Sequence, residues 1–583
     1  MMDFTECYVD TVSSVAAAAR SGCRRQLRRL MMERGGSVDC RDNRGWNALH
    51  EAAAAGSKAC VQEILSAVSR KKARFSRCDY VNSLTHEGES ACYLAAQRGH
   101  LSVVGLLLKA HADINQLTND LSCPLYAAVD DGHLDVVKLL VSRGAEVDRT
   151  HTASCWTCLH QAVYKGHCDI VQILVNVCNL EALDDHKISA LFVAAQYGQS
   201  ECLQTLMNAG AQVNTQAADL ATPLLIASQE GHQACVDLLL DHGADPNVVC
   251  SQEWPQLPLH AAAEFGHISI LRRLIDATDR SCDRSDSMVS PLYVAIHSDQ
   301  TSCIQLFLEE GFSPDAQDCT RTLGFSSPLA LALFRANNKP GSECLKLLLA
   351  AGAALGVEEW TYVLATHTTD LLDLVLNYMW IPRTESLTSD CSSSHHHRHR
   401  RHHHHHEQRE LQLQEVRDLV FVALNQVCFA SCWLPALLRA GLDPSLLLHP
   451  HMLGEADSQV LNYLLQFVNW SALSPPLKLI LEQRRAEQTW DSCTNFDLVP
   501  CLSQICRLKI REVLGADVLM RTTMVQQLPV PSLLHDFLQF RDIQEPSHLR
   551  PPPSPVASGA QRGRSSQQHR HVLNDFRSPL DMV

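Results

Sequence analysis

Three sets of residues in this sequence have types and spacings that could do chemistry. Cys155-Trp156-Thr157-Cys158 has the C-x-x-C spacing of a dithiol redox pair. No strand pattern precedes it, however, and Cys158-Leu159-His160 opens a helical pattern, so both thiols are read as structural. A tract from His395 to His406, interleaved with Arg398, Arg400 and Arg401, offers metal-binding side chains without a spacing that fixes a coordination geometry. His50, His160 and His260 recur at one position of a longer repeat, where the ring is expected to bond neighbouring backbone rather than a metal. The sequence holds no second cysteine pair of zinc spacing, phosphate-cradling glycine loop, His-Glu-x-x-His or set of nucleophile, base and orienting acid. The chain is therefore expected to be non-catalytic, with no cofactor and no metal site.

Binding, not bond-making, is the chemistry its apolar patterns suggest. Leu502, Ile505, Cys506, Ile510, Val513 and Leu514 recur at three- and four-residue steps, while Ser503, Gln504, Arg507, Lys509, Arg511 and Glu512 mostly fill the other face. That spacing predicts an amphipathic helix, opened near Pro500 and closed by Gly515. The stiff segment Leu528-Pro529-Val530-Pro531 follows, and then a second apolar helical stripe of Leu533, Leu534, Phe537 and Leu538. Two short helices cannot bury such stripes alone, so they need a partner.

Pro500-Cys501-Leu502-Ser503-Gln504-Ile505-Cys506-Arg507, with Ile510 and then Leu528-Pro529-Val530-Pro531, closely resembles a SOCS box. The resemblance implies that Leu502, Ile505, Cys506 and Ile510 bind elongin C, with Leu502 inserted into its pocket. It implies that Leu528, Pro529, Val530 and Pro531 face cullin 5. Elongin B and a RING-box protein would complete the assembly. Cys501 stands where that family usually has serine or threonine, which weakens the expected helix cap by about 1 kcal/mol.

Upstream, the elements that would present a target form a repeat. From Leu125 through Leu159, Leu191, Leu224 and Leu259 to Leu292, successive leucines lie 32 to 35 residues apart. The fullest copy runs from Thr222-Pro223-Leu224 through Gly231-His232 and Leu238-Leu239-Leu240 to Gly243-Ala244-Asp245, and it resembles an ankyrin repeat. Proline pre-sets each first helix, alanines let helices approach, and glycine takes the left-handed cap. One unit has too little core, so stability comes from stacking. The expected fold is all-α: an ankyrin-repeat solenoid followed by a small helical SOCS box. About ten repeats span 10–355, with a degenerate first copy. Weaker ankyrin-like helices span 356–485 around a disordered insertion at 386–408, and an eleventh pair is expected near Tyr362 to Tyr378. The box spans 496–541 and a disordered tail 542–583.

Together these features resemble the ankyrin repeat and SOCS box family, and the resemblance covers most of the chain. It implies a substrate-recognition subunit of an elongin B/C–cullin 5–RING ubiquitin ligase, with an unknown target held by the repeats. A passive ankyrin scaffold or inhibitor is the alternative. Trp46, Trp156 and Trp254 sit on hairpins just ahead of three first helices. Packing against an adjacent hairpin is the commoner use of such indoles, and anchoring a target is the other.

Composition bounds the remaining classes. A length of 583 residues requires several units or an array. The formal charge of −15 argues against nucleic acid as a partner. No apolar run reaches membrane-spanning length, and Met1-Met2-Asp3-Phe4 lacks the basic start of a signal peptide. A cytoplasmic protein with 24 reduced cysteines is expected. The run Arg70-Lys71-Lys72 reads as a solvated loop or, alternatively, as a nuclear-import patch.

Overall fold

The structure, a computed structural model, describes residues 13–32, 37–70, 77–151, 154–250, 256–283, 288–338, 343–382, 409–492, 501–514 and 533–546. The chain divides into two compact units, 1–279 and 280–583. Among the described residues, the first unit holds eight helix pairs, from Ser14–Arg20 with Arg24–Met32 to Pro258–Phe265 with Ile268–Ala277.

Each first helix starts where the sequence supplies a cap. The Thr222 hydroxyl accepts the Leu225 N–H at 3.2 Å, and Pro223 opens that helix where no amide partner is needed. The leucine that sets the period is buried in every copy from Leu125 to Leu259, and alanines such as Ala194, Ala195, Ala262 and Ala263 are fully covered. Burying one such leucine contributes about 2 kcal/mol. Against the ordering entropy of some 33 residues that gain is small, so successive pairs depend on one another.

Histidines tie neighbouring repeats together. His50 Nδ1 accepts the Asn47 N–H at 3.1 Å while its Nε2 lies 2.9 Å from the Ser83 carbonyl. His160 repeats this between Thr157 and Ile188. A second row follows the turn glycines: His133 Nε2 lies 2.9 Å from the Gln97 carbonyl, and His267 Nε2 lies 2.9 Å from that of Gln229. The turn glycine is required there. Gly231 has φ +81°, and a Cβ on it would lie 2.6 Å from the His267 ring. Two arginines of the first pair are engaged as well: Arg20 pairs with Glu51 at 2.5 Å and Arg24 with Glu63 at 2.6 Å.

In the second unit, pairs at Pro291–His297 with Thr301–Glu309 and Pro328–Asn338 with Glu343–Ala350 precede a pair at Val357–Leu364 and Asp370–Tyr378. Buried Trp360 donates from Nε1 to the Glu415 carbonyl at 3.1 Å, and the Glu415 carboxylate receives Arg409 at 2.6 Å and the Leu355 N–H at 2.9 Å. Burial opposes ionisation of Glu415, but these bonds outweigh it and leave its pKa below the ordinary carboxylate value. A two-residue parallel strand pair, Met379–Trp380 with Arg409–Glu410, crosses to the helices Leu413–Asn425 and Ala430–Arg439. Beyond them, helices Pro450–Glu455, Ser458–Leu465 and Pro475–Ala486 close over a core of Leu453, Leu461, Leu465, Trp470, Leu481 and Trp490. The histidine tract and the tail after residue 546 lie outside the described residues. No single helix among the described residues is long and apolar enough to cross a membrane.

Candidate docking site in the C-terminal helices

The helix expected over the first stripe runs Leu502–Leu514, and the second is Leu533–Leu538. At the start of the first, the Cys501 carbonyl accepts from Gln504 and Ile505 N–H at 3.0 and 3.1 Å, and the Cys501 thiol lies 3.1 Å from the Ser503 hydroxyl.

The faces of this helix differ from the sequence reading in one respect. Arg507 and Arg511, placed with the polar residues, are buried instead. Arg507 pairs with Asp542 at 2.6 Å and lies 3.5 Å from the centre of the Phe537 ring. Arg511 donates to the Leu438 carbonyl at 3.0 Å and lies 5.3 Å from the ring centres of Phe467 and Phe540, which stack on each other at 4.4 Å. A guanidinium is planar and weakly hydrated, so aromatic faces and one carbonyl can replace much of its water. Burial still penalises the charge, pushing the Arg511 pKa down to about 10, and the group stays protonated at neutral pH. The Gln504 side-chain amide adds a bond to the Gln466 carbonyl at 3.2 Å.

With the arginine face anchored, the apolar face points outward. Ile505 is 38% exposed and Val513 67%, Cys506 is exposed on the same helix, and Leu534 is exposed on the second. Ile510 is half-buried. Leu502 opens the helix, and its side chain lies outside the described set. So do Leu528, Pro529, Val530 and Pro531. Such outward-facing isoleucine, valine and leucine on short helices make a surface that gains by being covered.

The tryptophans do not form one cluster. Trp46 is half-buried under the Arg44 guanidinium, 4.3 Å from its ring centre. Trp156 donates from Nε1 to Asp184 of the next hairpin at 3.2 Å and contacts Tyr164 edge-on at 5.6 Å. Trp254 lies outside the described residues. Sequence reasoning missed the exposed aromatics Tyr164, Tyr197 and Phe265, although Tyr197 and Phe265 stand directly before a turn glycine and Tyr164 two residues before one, where the repeat leaves side chains uncovered. As for Cys155 and Cys158, the first is exposed and the second buried. The Cys158 sulfur sits 3.8 Å from His151 Nε2, which lies 3.7 Å from Cys123. Cys158 thus packs toward Cys123, and its pKa is raised by their hydrogen bond and by burial.

Comparison with known proteins follows the same division. The profile for ankyrin repeats (3 copies) matches overlapping stretches from residue 14 to residue 359, and that for the SOCS box matches 498–539. The sequence is 38% identical over 543 residues to Ankyrin repeat and SOCS box protein 3 of Homo sapiens, covering 93% of this chain and 97% of that protein. The chain belongs to the ankyrin repeat and SOCS box family. Its identity to the Bos taurus protein of the same name is also 38%, over 93% of this chain and 96% of that one. The solved ankyrin repeat domain of human ASB11 is 27% identical, covering 40% of this chain and 97% of that domain, with a TM-score of 0.34.

Proposed function

We propose that this family member is the substrate-recognition subunit of an elongin B/C–cullin 5–RING ubiquitin ligase. Membership in the family implies a non-catalytic adaptor of a cullin-RING ligase, and the observation that carries the finer reading is the outward apolar ridge of Ile505, Cys506 and Val513 on a helix anchored through Arg507 and Arg511. Elongin C covers that ridge, with Leu502 and Ile510 of the same helix taking part. Leu528, Pro529, Val530 and Pro531 select cullin 5, and the repeats hold the target protein, with Trp46, Trp156 and Trp254 as candidate contacts. Rate enhancement then comes from position. Holding a target lysine near a charged ubiquitin-conjugating enzyme raises its effective concentration while no side chain of this chain enters the reaction. Modified targets pass to the proteasome.

Co-purification tests this. Ile505→Asp with Cys506→Arg is expected to reduce elongin B/C recovery at least tenfold, because a charge would be desolvated in an apolar groove. Pro529→Ala with Pro531→Ala is expected to lose cullin 5 while keeping elongin. Undiminished elongin recovery in the first variant would contradict the assignment.

A further inference from the structure

Residues just ahead of the turn glycines form a row along the first unit. In successive repeats they are Lys165, Tyr197, Glu230 and Phe265, with Tyr164 next to Lys165. Tyr197 is 44% exposed and Phe265 48%, and Tyr164 is exposed too. Trp156 meets Tyr164 of its own repeat at 5.6 Å and Tyr164 meets Tyr197 of the next edge-on at 4.8 Å, so two successive repeats share one aromatic face, and Phe265 stands two repeats further along the same row. Exposed aromatic faces held in mutual contact are preorganised, and covering them costs little side-chain entropy.

Lys165, a cation 5.9 Å from the centre of the Tyr164 ring, has a carboxylate of its own. It is paired with Asp130 at 3.0 Å, whereas Glu230 occupies the row between Tyr197 and Phe265, and Glu264 adjoins Phe265. Tyr197 has its pKa raised by partial burial, by Tyr164 and by Glu230, which places that carboxylate within electrostatic reach of the ring. Glu264 is half-buried, and desolvation raises its pKa. An incoming anionic or wholly apolar segment would strip water from Glu230 and offer it no counter-charge. A cation replaces that water and also meets the negative faces of the rings. The net charge of −15 adds long-range attraction of the same sign.

We propose that the lane formed by Trp156, Tyr164, Tyr197, Glu230, Glu264 and Phe265 receives an extended, arginine- or lysine-bearing segment of a partner protein. Packed helices lie about 10 Å apart, and an extended chain advances about 3.3 Å per residue, so every third residue of the segment meets a new repeat. The favoured pattern is an apolar side chain on Tyr197, a basic one three residues on at Glu230, and a second apolar one three residues further at Phe265. This rests on the reading of the repeats as the target-holding part and assigns that target a chemistry.

The test uses the full-length chain and fluorescein-labelled peptides with leucine, arginine and leucine at three-residue spacing in a glycine-serine background. A matched peptide carries glutamate in place of arginine. Fluorescence anisotropy is expected to show at least tenfold tighter binding of the arginine peptide. Tyr197→Ala and Phe265→Ala should each weaken it about tenfold, and Glu230→Gln should shrink the arginine preference to threefold or less. The proposal is overturned by equal affinity for the two peptides, by no binding, or by unchanged binding in the Tyr197 and Phe265 variants with melting temperatures intact. Binding that emerges only after residues 386–408 are deleted would assign the lane to this chain's own histidine- and arginine-rich tract and overturn the partner. Elongin recovery, measured on the same variants, is expected to be unchanged. Since Ile505→Asp with Cys506→Arg should lose elongin and keep the peptide, failure of the ligase reading and failure of the lane are separable.

Discussion

His50 is neutral in the folded protein because burial removes the water that would stabilise its charged form, and its pKa falls to about 4. In the unfolded chain the ring titrates near its ordinary value of about 6.5. As pH falls between those values the unfolded state binds the extra proton, so stability is full above pH 6.5 and declines toward pH 4 by roughly 3 kcal/mol. Urea denaturation of His50→Gln at pH 7 and pH 4.5 should show a smaller pH-dependent loss than the parent; an equal loss would contradict this assignment. Arg511 makes the opposite point. Truncation to alanine removes the side-chain donor to the Leu438 carbonyl and the cation beside the stacked Phe467 and Phe540 rings, so a loss of about 2 kcal/mol is expected in the second unit, read by urea denaturation. Its burial was not legible in the sequence. Phe467 and Phe540, which make an aromatic environment for it, lie 44 residues before and 29 after it, and only the folded chain brings them together. Polarity alone therefore assigned Arg507 and Arg511 to water, while Ile505 and Cys506 of the apolar stripe are exposed.

At the scale of elements, the repeats were legible because each one carries its own instructions: a capping hydroxyl, a first-turn proline, a covered leucine and a turn glycine within some 33 residues. What the local pattern does not display is how one repeat grips the next. Two glycine variants isolate that term. Gly243 has φ +83° with nothing within 4 Å of an added Cβ, so Gly243→Ala costs only backbone strain, about 1 kcal/mol. Gly231 has a similar φ, but its added Cβ meets His267, so Gly231→Ala should also break the bond to the Gln229 carbonyl and cost about 1 kcal/mol more. Equal losses in the two variants would mean that the histidine row contributes nothing to coupling. The lane residues Tyr164, Tyr197 and Phe265 escaped the sequence reading for a related reason. Aromatic side chains within an apolar helical pattern look like core, and only the stacking geometry leaves that position uncovered.

At the scale of the whole molecule, the account separates two tasks. The repeats offer a long surface of exposed aromatics and carboxylates, while the terminal helices keep isoleucine, cysteine and valine outward on a helix fixed from behind by two arginines. A molecule of this kind works by bringing two foreign proteins together, so its central claim concerns where elongin C lands. Hydrogen–deuterium exchange of the full chain, with and without purified elongin B/C, addresses that directly. The account predicts slowed exchange in residues 502–514 and 533–538, with the repeats from 48 to 277 unchanged. Protection confined to the repeats, or none in 502–514 at saturating elongin, would contradict it.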